Sequence, residues 1–431
     1  MASIPTESQA VIIGGVRSPF VRARGVFKNL PASTLGGIAL RETVARSGLA
    51  PTLIDEVYFG IVSGPTEGTN VAREALFDSG LPAQIPCTTI NRYCASSAEA
   101  LAGIVAKIES GQIQAGLAGG VESISSVVAN FSLEATDFFQ SLATAKTTSQ
   151  RLMLLKSFRP NFFMPLSPGI KEPTTGLTMG QSADLMAREF KISRKDQDTL
   201  ALRSHQRAAA AWEKGFYQSH VVPVSTDTGK MINQDTDVRK DSSIEKLSKL
   251  RAVFYEDGTI TAGNASPLTD GSSCCLVTSY QFAQQHGLKP LGRIRAFSAA
   301  AINVQTDPLL IAPVYAIPKV LAAAKITWND IDLIEMHEAF AGQVLATISA
   351  IESKTFAQSK LGLGDKIGSI DMTKFNLNGG SIAIGHPFGA TGVRLVLQAL
   401  HQLKAMNKSL GLITICAAGG LGMALVIEAF D

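Results

Sequence analysis

The sequence predicts a duplicated α/β protein carrying an inserted lid, and three observations predict it. Strand-like and helical patterns alternate in the first third of the chain and again, in the same order, in the last. Two pairs of segments match across those thirds: SGLAPTLIDEVYFG (Ser47–Gly60) lies over AAKITWNDIDLIEMH (Ala323–His337), and AGLAGGVES (Ala115–Ser123) over ICAAGGLGM (Ile415–Met423). The material between them is different in kind, more polar and less regular. Two similar halves imply two packed α/β units related by a pseudo-twofold axis. Residues 1–124 with 264–288 are assigned to the first half, 125–263 to the insertion and 289–431 to the second half.

Taken in order, Ala10–Gly15 reads as a strand and Arg17–Arg24 as a basic loop. Thr34–Ser47 sets Leu35, Ile38, Ala39 and Val44 on one helical face and stops at Gly48. Ile54–Phe59 is the next strand and Asn70–Ser79 a helix, after which Pro82 and Pro86 break the pattern. An extended approach, Cys87–Tyr93, meets Cys94 directly before a strong helix, Ala95–Ser110, and Gln114–Gly119 is a strand ending in a double glycine. Phe131–Lys171 reads as irregular, with six phenylalanines among Lys146, Arg151, Lys156 and Arg159. Met179–Phe190 and Lys195–Lys214 are helical, and Thr226–Ser243 is a charged loop region. The last third brings a helix at Ala316–Lys325, a strand at Ile331–Met336, a glycine-rich loop and a helix at Val393–Leu403.

Composition narrows the function. The 431 residues make room for two or three units of ~150 residues each. A hydrophobic content of 45% with 38 glycines suits a large core with many tight turns. The net charge of +3 makes no case for nucleic acid as a partner. Five cysteines without framework spacing point to reduced thiols, and no spacing suggests a metal site. The opening MASIPTESQAVIIGG has no basic stretch before its strand, and the closing EAFD is no peroxisomal address. The expected location is cytoplasmic, as in a bacterial protein, or the mitochondrial matrix after loss of a transit peptide. Leu410–Ile427, eighteen uncharged residues, could span a membrane, but Gly419, Gly420 and Gly422 near its middle favour two short buried strands joined by a turn.

The chemistry centres on Asn378–Gly392, NGGSIAIGHPFGATG, where His386 sits among five glycines with no charged neighbour. Glycines let a backbone approach a ligand closely, and Pro387 stiffens the turn after the histidine. Cys94 lies at a helix N-terminus, where the dipole is expected to lower its pKa and favour the thiolate. Of the six histidines, His205, His220, His286 and His401 fall in polar, helical or surface segments. His337, in MHEAFAG, and His386 each end or follow a buried strand. A cysteine at a helix in one half, facing two strand-end histidines in the other, makes a nucleophile with nearby bases. Cys416 precedes a second double glycine, where backbone N–H groups can converge on an oxyanion.

Six motifs, NRYCASSAEA, GGVES, TAGNASPLTDG, HEAFA, NGGSIAIGHPFGATG and CAAGGLGMA, stand in the order found in the thiolase family, and the chain resembles that family from Val11 to its last strand. The resemblance implies a five-layered αβαβα core. It also implies that Cys94 carries the acyl group as a thioester, that His386 takes its proton, and that Cys416 is the acid/base. The backbone near Ala418 would then complete an oxyanion hole with that of Cys94. His337 departs from the asparagine of many thiolases and resembles the thiolase subunit of fatty-acid β-oxidation complexes, where it could donate to the thioester oxygen. Met179, Ser266 and Phe340 match positions lining the pantetheine and substrate channel.

By the same resemblance the reaction is thiolytic cleavage of medium- or long-chain 3-ketoacyl-CoA to acetyl-CoA and a shortened acyl-CoA. Coenzyme A is a substrate, and no cofactor or metal is called for. A homodimer or higher oligomer is expected, with an enoyl-CoA hydratase/3-hydroxyacyl-CoA dehydrogenase subunit as a further partner. An acetoacetyl-CoA thiolase, a ketosynthase-like condensing enzyme and a non-catalytic scaffold are the competing readings. Cys416 together with GHPFGATG weighs against the ketosynthase, and the HEAF form weighs against the acetoacetyl-CoA enzyme. The insertion 131–168 mixes apolar and basic residues as a surface amphipathic segment would, and is expected to touch the acyl tail, a partner subunit or, weakly, an anionic membrane.

Overall fold

A computed structural model describes residues 6–64, 68–127, 131–164 and 171–430. Residues 1–5 of the opening segment, and 165–168 of the insertion, therefore lie outside the described residues.

The first half contributes strands β1 (Ala10–Arg17), β2 (Glu56–Gly60), β3 (Cys87–Ile90), β4 (Ala115–Glu122) and β5 (Thr269–Ser279). The second half adds β6 (Gly292–Ala301), β7 (Leu333–Met336), β8 (Leu410–Ala417) and β9 (Leu421–Ala429). Spatial order is β3-β2-β4-β5-β1 in one half and β7-β8-β9-β6 in the other, with Phe375 bridged to Ile334 where the second half would have its fifth strand. The two orders are therefore the same, which is the duplication expressed in hydrogen bonds. They join edge to edge at one pairing, Ile12 with Gly292.

Helices α1 (Ala32–Ser47), α2 (Val71–Ser79) and α3 (Ser96–Glu109) belong to the first half. Gly48 ends α1 with φ +73°, and Asn70 caps α2 by accepting from Arg73 N–H. The insertion carries α4 (Leu133–Thr144), α5 (Thr148–Leu155), α6 (Met179–Glu189) and α7 (Arg194–Glu213). The second half has α8 (Pro313–Ala324), α9 (Ala341–Glu352) and α10 (Thr391–Ala405).

Three apolar clusters divide these helices into layers. One joins α1 and α2 to the outer face of the first sheet through Leu35, Val44, Leu76 and Leu276. A second joins α3 and α10 between the sheets, through Leu101, Leu397, Val277 and Ile413. The third joins α8 and α9 to the far sheet through Ile317, Val344, Leu412 and Val426. This is the αβαβα sandwich. It explains why the central strands are apolar without alternation: successive residues, such as Cys274 and Cys275, are buried against different helical layers. Leu410–Ile427 is the β8–β9 hairpin, turned by Gly419 and Gly420 at φ +72° and +66°. Among the described residues no helix is long and apolar enough to cross a membrane.

Two expectations are corrected. The stretch from Phe131 is not irregular, since α4 and α5 occupy most of its described part. Ser132 caps α4, and Thr147 with Gln150 forms a capping box for α5. Phe138 and Phe162 are buried with Phe139, Leu142 and Phe158 packed against them, a small core separate from the sandwich. His205 and His220 are not surface residues either: both are buried. The ring of His205 accepts from Arg239 N–H, and His220 stacks on His401 at 4.8 Å.

Because this small core stands apart, Phe138→Ala is expected to cost about 3–5 kcal/mol within the insertion alone. Hydrogen exchange should show faster amides across 133–155 and unchanged protection in β5 and β8.

Candidate active site

Cys94 is placed by a sharp turn between β3 and α3. Tyr93 takes φ +48°, which reverses the chain. Ser96 Oγ accepts from Arg92 N–H at 2.8 Å and donates to the Tyr93 carbonyl at 2.6 Å, closing the turn. His337 directly follows β7, and its N–H donates to the Thr414 carbonyl at 2.9 Å, prolonging the pairing with β8. His386 follows Gly385, whose φ of +101° only glycine adopts without strain. Its own N–H donates to the Pro267 carbonyl at 3.2 Å. Cys416 lies near the end of β8, opposite Gly422.

These positions converge. The Cys94 sulfur and one ring nitrogen each of His337 and His386 lie within 4.8 Å of one another. Among the described residues this is the single group of such side chains compact enough to share a metal ion. The imidazole centroids are 4.1 Å apart. His337 Nδ1 is 2.9 Å from Ser381 Oγ, and His386 Nδ1 is 2.6 Å from Thr391 Oγ1. Both Nε2 atoms are buried without a hydrogen-bond partner among the described residues, which leaves them available to a substrate.

The charge states differ from the expected thiolate. Although Cys94 as a residue is only half-buried, its thiol is pushed up to about 12. Burial is the largest cause, and the carboxylate of Glu122 adds to it. The backbone N–H groups of Ala418 and of Cys94 itself act the other way, and they are too weak to win. Burial, and next to it the repulsion two neighbouring thiolates would feel, likewise hold Cys416 well above the ordinary thiol range. Desolvation and the Arg394 guanidinium push His386 down to about 3, and desolvation, His386 and Arg394 hold His337 well below the usual imidazole range. At rest the site holds two neutral thiols and two neutral imidazoles. Such a set moves protons only as a reacting molecule develops charge.

The remaining expected residues also gather here. The Ala418 N–H reaches the Cys94 thiol. Ser266 N–H donates to the Ala339 carbonyl at 2.9 Å, two residues from His337. Phe340 faces Phe254 edge-on at 6.1 Å, and Phe254 presses on Gly180 beside Met179, giving an apolar wall. A cavity of about 180 Å³ opens next to this loop, lined by Ala265, Pro267 and Ile382 together with Arg239 and the ion pairs Arg22–Asp237 and Lys246–Asp241.

Several contributors were not singled out from sequence. Glu122, fully buried, accepts from Val62, Ser63 and Gly389 N–H at 3.1, 2.8 and 2.9 Å, tying the first half to the His386 loop. Glu172 of the insertion accepts from Gly419 N–H at 2.9 Å. Ser381, Thr391 and Arg394 stand behind the histidines. The available signal was the lone charge of Arg394 in an otherwise apolar helix face, VRLVLQAL.

Comparison with known proteins finds matches along nearly the whole chain. A family model described as "Thiolase, N-terminal domain" matches residues 10–281, and one described as "Thiolase, C-terminal domain" matches residues 288–429. Proteins named 3-ketoacyl-CoA thiolase from Yersinia enterocolitica and Serratia proteamaculans are each 42% identical to this chain, over 97% of it and 96% of their own length. Among solved structures, the Bacillus anthracis acetyl-CoA acetyltransferase matches with a TM-score of 0.82 at 32% identity, covering 98% of this chain and 99% of its own. The human mitochondrial 3-ketoacyl-CoA thiolase matches with a TM-score of 0.81 at 28% identity, covering 99% and 100%.

Glu122 offers a test with a definite sign. Removing its charge in Glu122→Gln should lower the Cys94 pKa, so the pH profile of Cys94 alkylation by iodoacetamide should move to lower pH. Folded Glu122 keeps its proton to about 7 instead of the ordinary 4.5, chiefly through burial. The unfolded chain therefore binds fewer protons in that window, and stability falls as pH rises through it. Chemical denaturation of Glu122→Gln across the same window should show a flatter dependence.

Proposed function

We propose that this chain, which belongs to the thiolase family, is an acetyl-CoA C-acyltransferase that cleaves medium- or long-chain 3-ketoacyl-CoA with coenzyme A, in fatty-acid β-oxidation. The observation that carries the reading is the convergence of one thiol and two imidazoles, with one ring nitrogen of each within 4.8 Å of the sulfur and both Nε2 atoms unpartnered among the described residues, beside a second thiol. Its curated relatives at 42% identity carry the name 3-ketoacyl-CoA thiolase.

On this reading the reaction runs as follows. Cys94 sulfur attacks the keto carbon while its proton passes to His386 Nε2, which suits a thiol that is not ionised at rest. The carbonyl pair moves to oxygen, held by the N–H groups of Cys94 and Ala418. Collapse breaks the C2–C3 bond and leaves an acyl-thioester on Cys94 and the enolate of acetyl-CoA. The enolate oxygen lies against the Nε2 atoms of His337 and the now protonated His386. Cys416 gives its proton to C2, and acetyl-CoA departs. The Cys416 thiolate then takes the proton of an incoming coenzyme A thiol, whose sulfur attacks the acyl-thioester. As acyl-CoA leaves, His386 returns its proton to Cys94. The protons balance and no cofactor is used.

The wall of Met179, Phe254 and Phe340 suits the pantetheine arm of coenzyme A and the acyl chain. The likeness to an acetyl-CoA acetyltransferase at 32% identity favours a second reading, in which acetoacetyl-CoA is the substrate. The insertion exposes Leu133, Leu152, Met153, Leu155, Phe163 and Met164 beside basic residues, which supports weak contact with an anionic membrane. The working unit is a homo-oligomer, associated with a hydratase/dehydrogenase subunit, in the cytoplasm or the mitochondrial matrix.

Intact-mass analysis after incubation with a 3-ketoacyl-CoA should show one acyl adduct, on Cys94, absent from Cys94→Ser, whose kcat should fall by about 10³–10⁶-fold. An adduct elsewhere, or none, refutes the assignment. A chain-length series of thiolysis assays should favour medium and long chains, and activity confined to acetoacetyl-CoA selects the second reading. Co-sedimentation with phosphatidylserine vesicles should weaken when Lys146, Arg151, Lys156 and Arg159 are replaced by Gln, and an unchanged pellet refutes the membrane contact.

A further inference from the structure

His337 and His386 are chemically the same group, 4.1 Å apart, yet the reaction asks opposite things of them. One must donate to an oxygen from the start, and the other must first accept a proton. A neutral imidazole has one N–H and one bare nitrogen, and which is which follows from the hydrogen bond at the ring's far side.

Behind His337 stands Ser381, whose Oγ has two side-chain partners: His337 Nδ1 at 2.9 Å and Arg394 Nη2 at 2.6 Å. A guanidinium can only donate, so it occupies a lone pair of the Ser381 oxygen. The serine hydrogen is then directed to the one acceptor recorded among the described residues, His337 Nδ1. That leaves the imidazole proton on Nε2, pointing into the site. Behind His386 stands Thr391, whose hydroxyl donates to the Pro387 carbonyl at 3.2 Å, one turn back. A carbonyl can only accept, so the Thr391 oxygen receives at its remaining lone pair, from His386 Nδ1–H at 2.6 Å. His386 Nε2 is therefore bare and faces the site as a base.

We infer that Arg394 with Ser381, and Thr391 with the Pro387 carbonyl, are positioning residues that hold the two neighbouring histidines in opposite tautomers, His337 as an Nε2–H donor and His386 as an Nε2 base. The inference deepens the proposed thiolase chemistry and rests on it for its purpose, though not for its geometry. Arg394 suits the task because it is fully buried, with Nε and Nη1 making no hydrogen bond among the described residues. Its charge also disfavours protonation of both rings, which keeps them in the neutral state where tautomers are distinct. Once His386 has taken the Cys94 proton it becomes a second Nε2–H donor, and the enolate oxygen then meets two.

The test uses the full chain labelled with ¹⁵N-histidine and long-range ¹H–¹⁵N correlation spectra at neutral pH, with resonances assigned through His337→Asn and His386→Asn. The expected spectra place the proton on Nε2 of His337 and on Nδ1 of His386. Finding both rings in the same tautomer, or the two exchanged, overturns the inference even if the enzyme is active. In Ser381→Ala the His337 signals should move toward the other tautomer, with kcat for thiolysis falling about 10–100-fold and KM nearly unchanged, as for partial loss of an oxyanion donor. Ser381→Thr, which keeps the hydroxyl, should restore both readouts. A Ser381→Ala spectrum identical to wild type overturns the role of Arg394 and Ser381. If Ser381→Ala does not fold, the wild-type spectrum still decides. Opposite tautomers in a chain that forms no acyl adduct would uphold this inference and sink the proposed function.

Discussion

The site depends on two backbones being allowed to touch. The turn after His386 presses on the end of β4 so closely that a side chain on Gly120 would collide with the Gly389 carbonyl. One turn later, a side chain on Gly392 would meet the backbone of Ala98 in α3. Polar groups bind what the glycines bring close: Glu122 accepts from Gly389 N–H, Ser97 Oγ from Val393 N–H at 3.1 Å, and Ser273 Oγ donates to the Ala390 carbonyl at 2.6 Å. The sequence distance across these contacts approaches three hundred residues, as from Ser97 to Val393. Cys94 comes from one half and the two histidines from the other, so this closure is what brings them together.

Closing the halves also dries the site, and that decides its electrostatics. A helix terminus offers a nearby anion about 1 kcal/mol. Withdrawing a thiolate from water and setting it near Glu122 costs more, and the Cys94 thiol accordingly ends at about 12. The same burial, with Arg394 nearby, strips both histidines of charge. The outcome is a neutral set in which each proton moves only when bond-making supplies its destination. This arrangement protects the resting cysteine from idle reaction and leaves activation to the substrate.

The insertion follows a different rule. Through α6 and α7 it shares the core of the second half, and through Glu172 it reaches the Gly419 turn beside Cys416. Yet α4 packs mainly on the insertion's own phenylalanines, α5 buries no residue of its own, and the two leave leucines and a methionine on the surface. The insertion is thus tied to the Gly419 turn at one point and presents apolar side chains to the surface at another.

Sequence by itself determined the alternation of strands and helices, the duplication, and the identities of Cys94, His337, His386 and Cys416, because periodicity, glycine spacing and rare reactive side chains are local signals. It also contained the caps of α4 and α5, Ser132 and the Thr147–Gln150 pair, although six crowded phenylalanines there read as disorder in the pattern. Only the tertiary structure decided the protonation state of Cys94, the burial of His205 and His220, and the partners of Ser381, Thr391 and Arg394. Each of these depends on which groups burial brings within about 3 Å of one another, and a hydrogen bond's direction depends on what else its atoms already hold. Residue order carries the chemistry that is available, and packing decides where each proton sits.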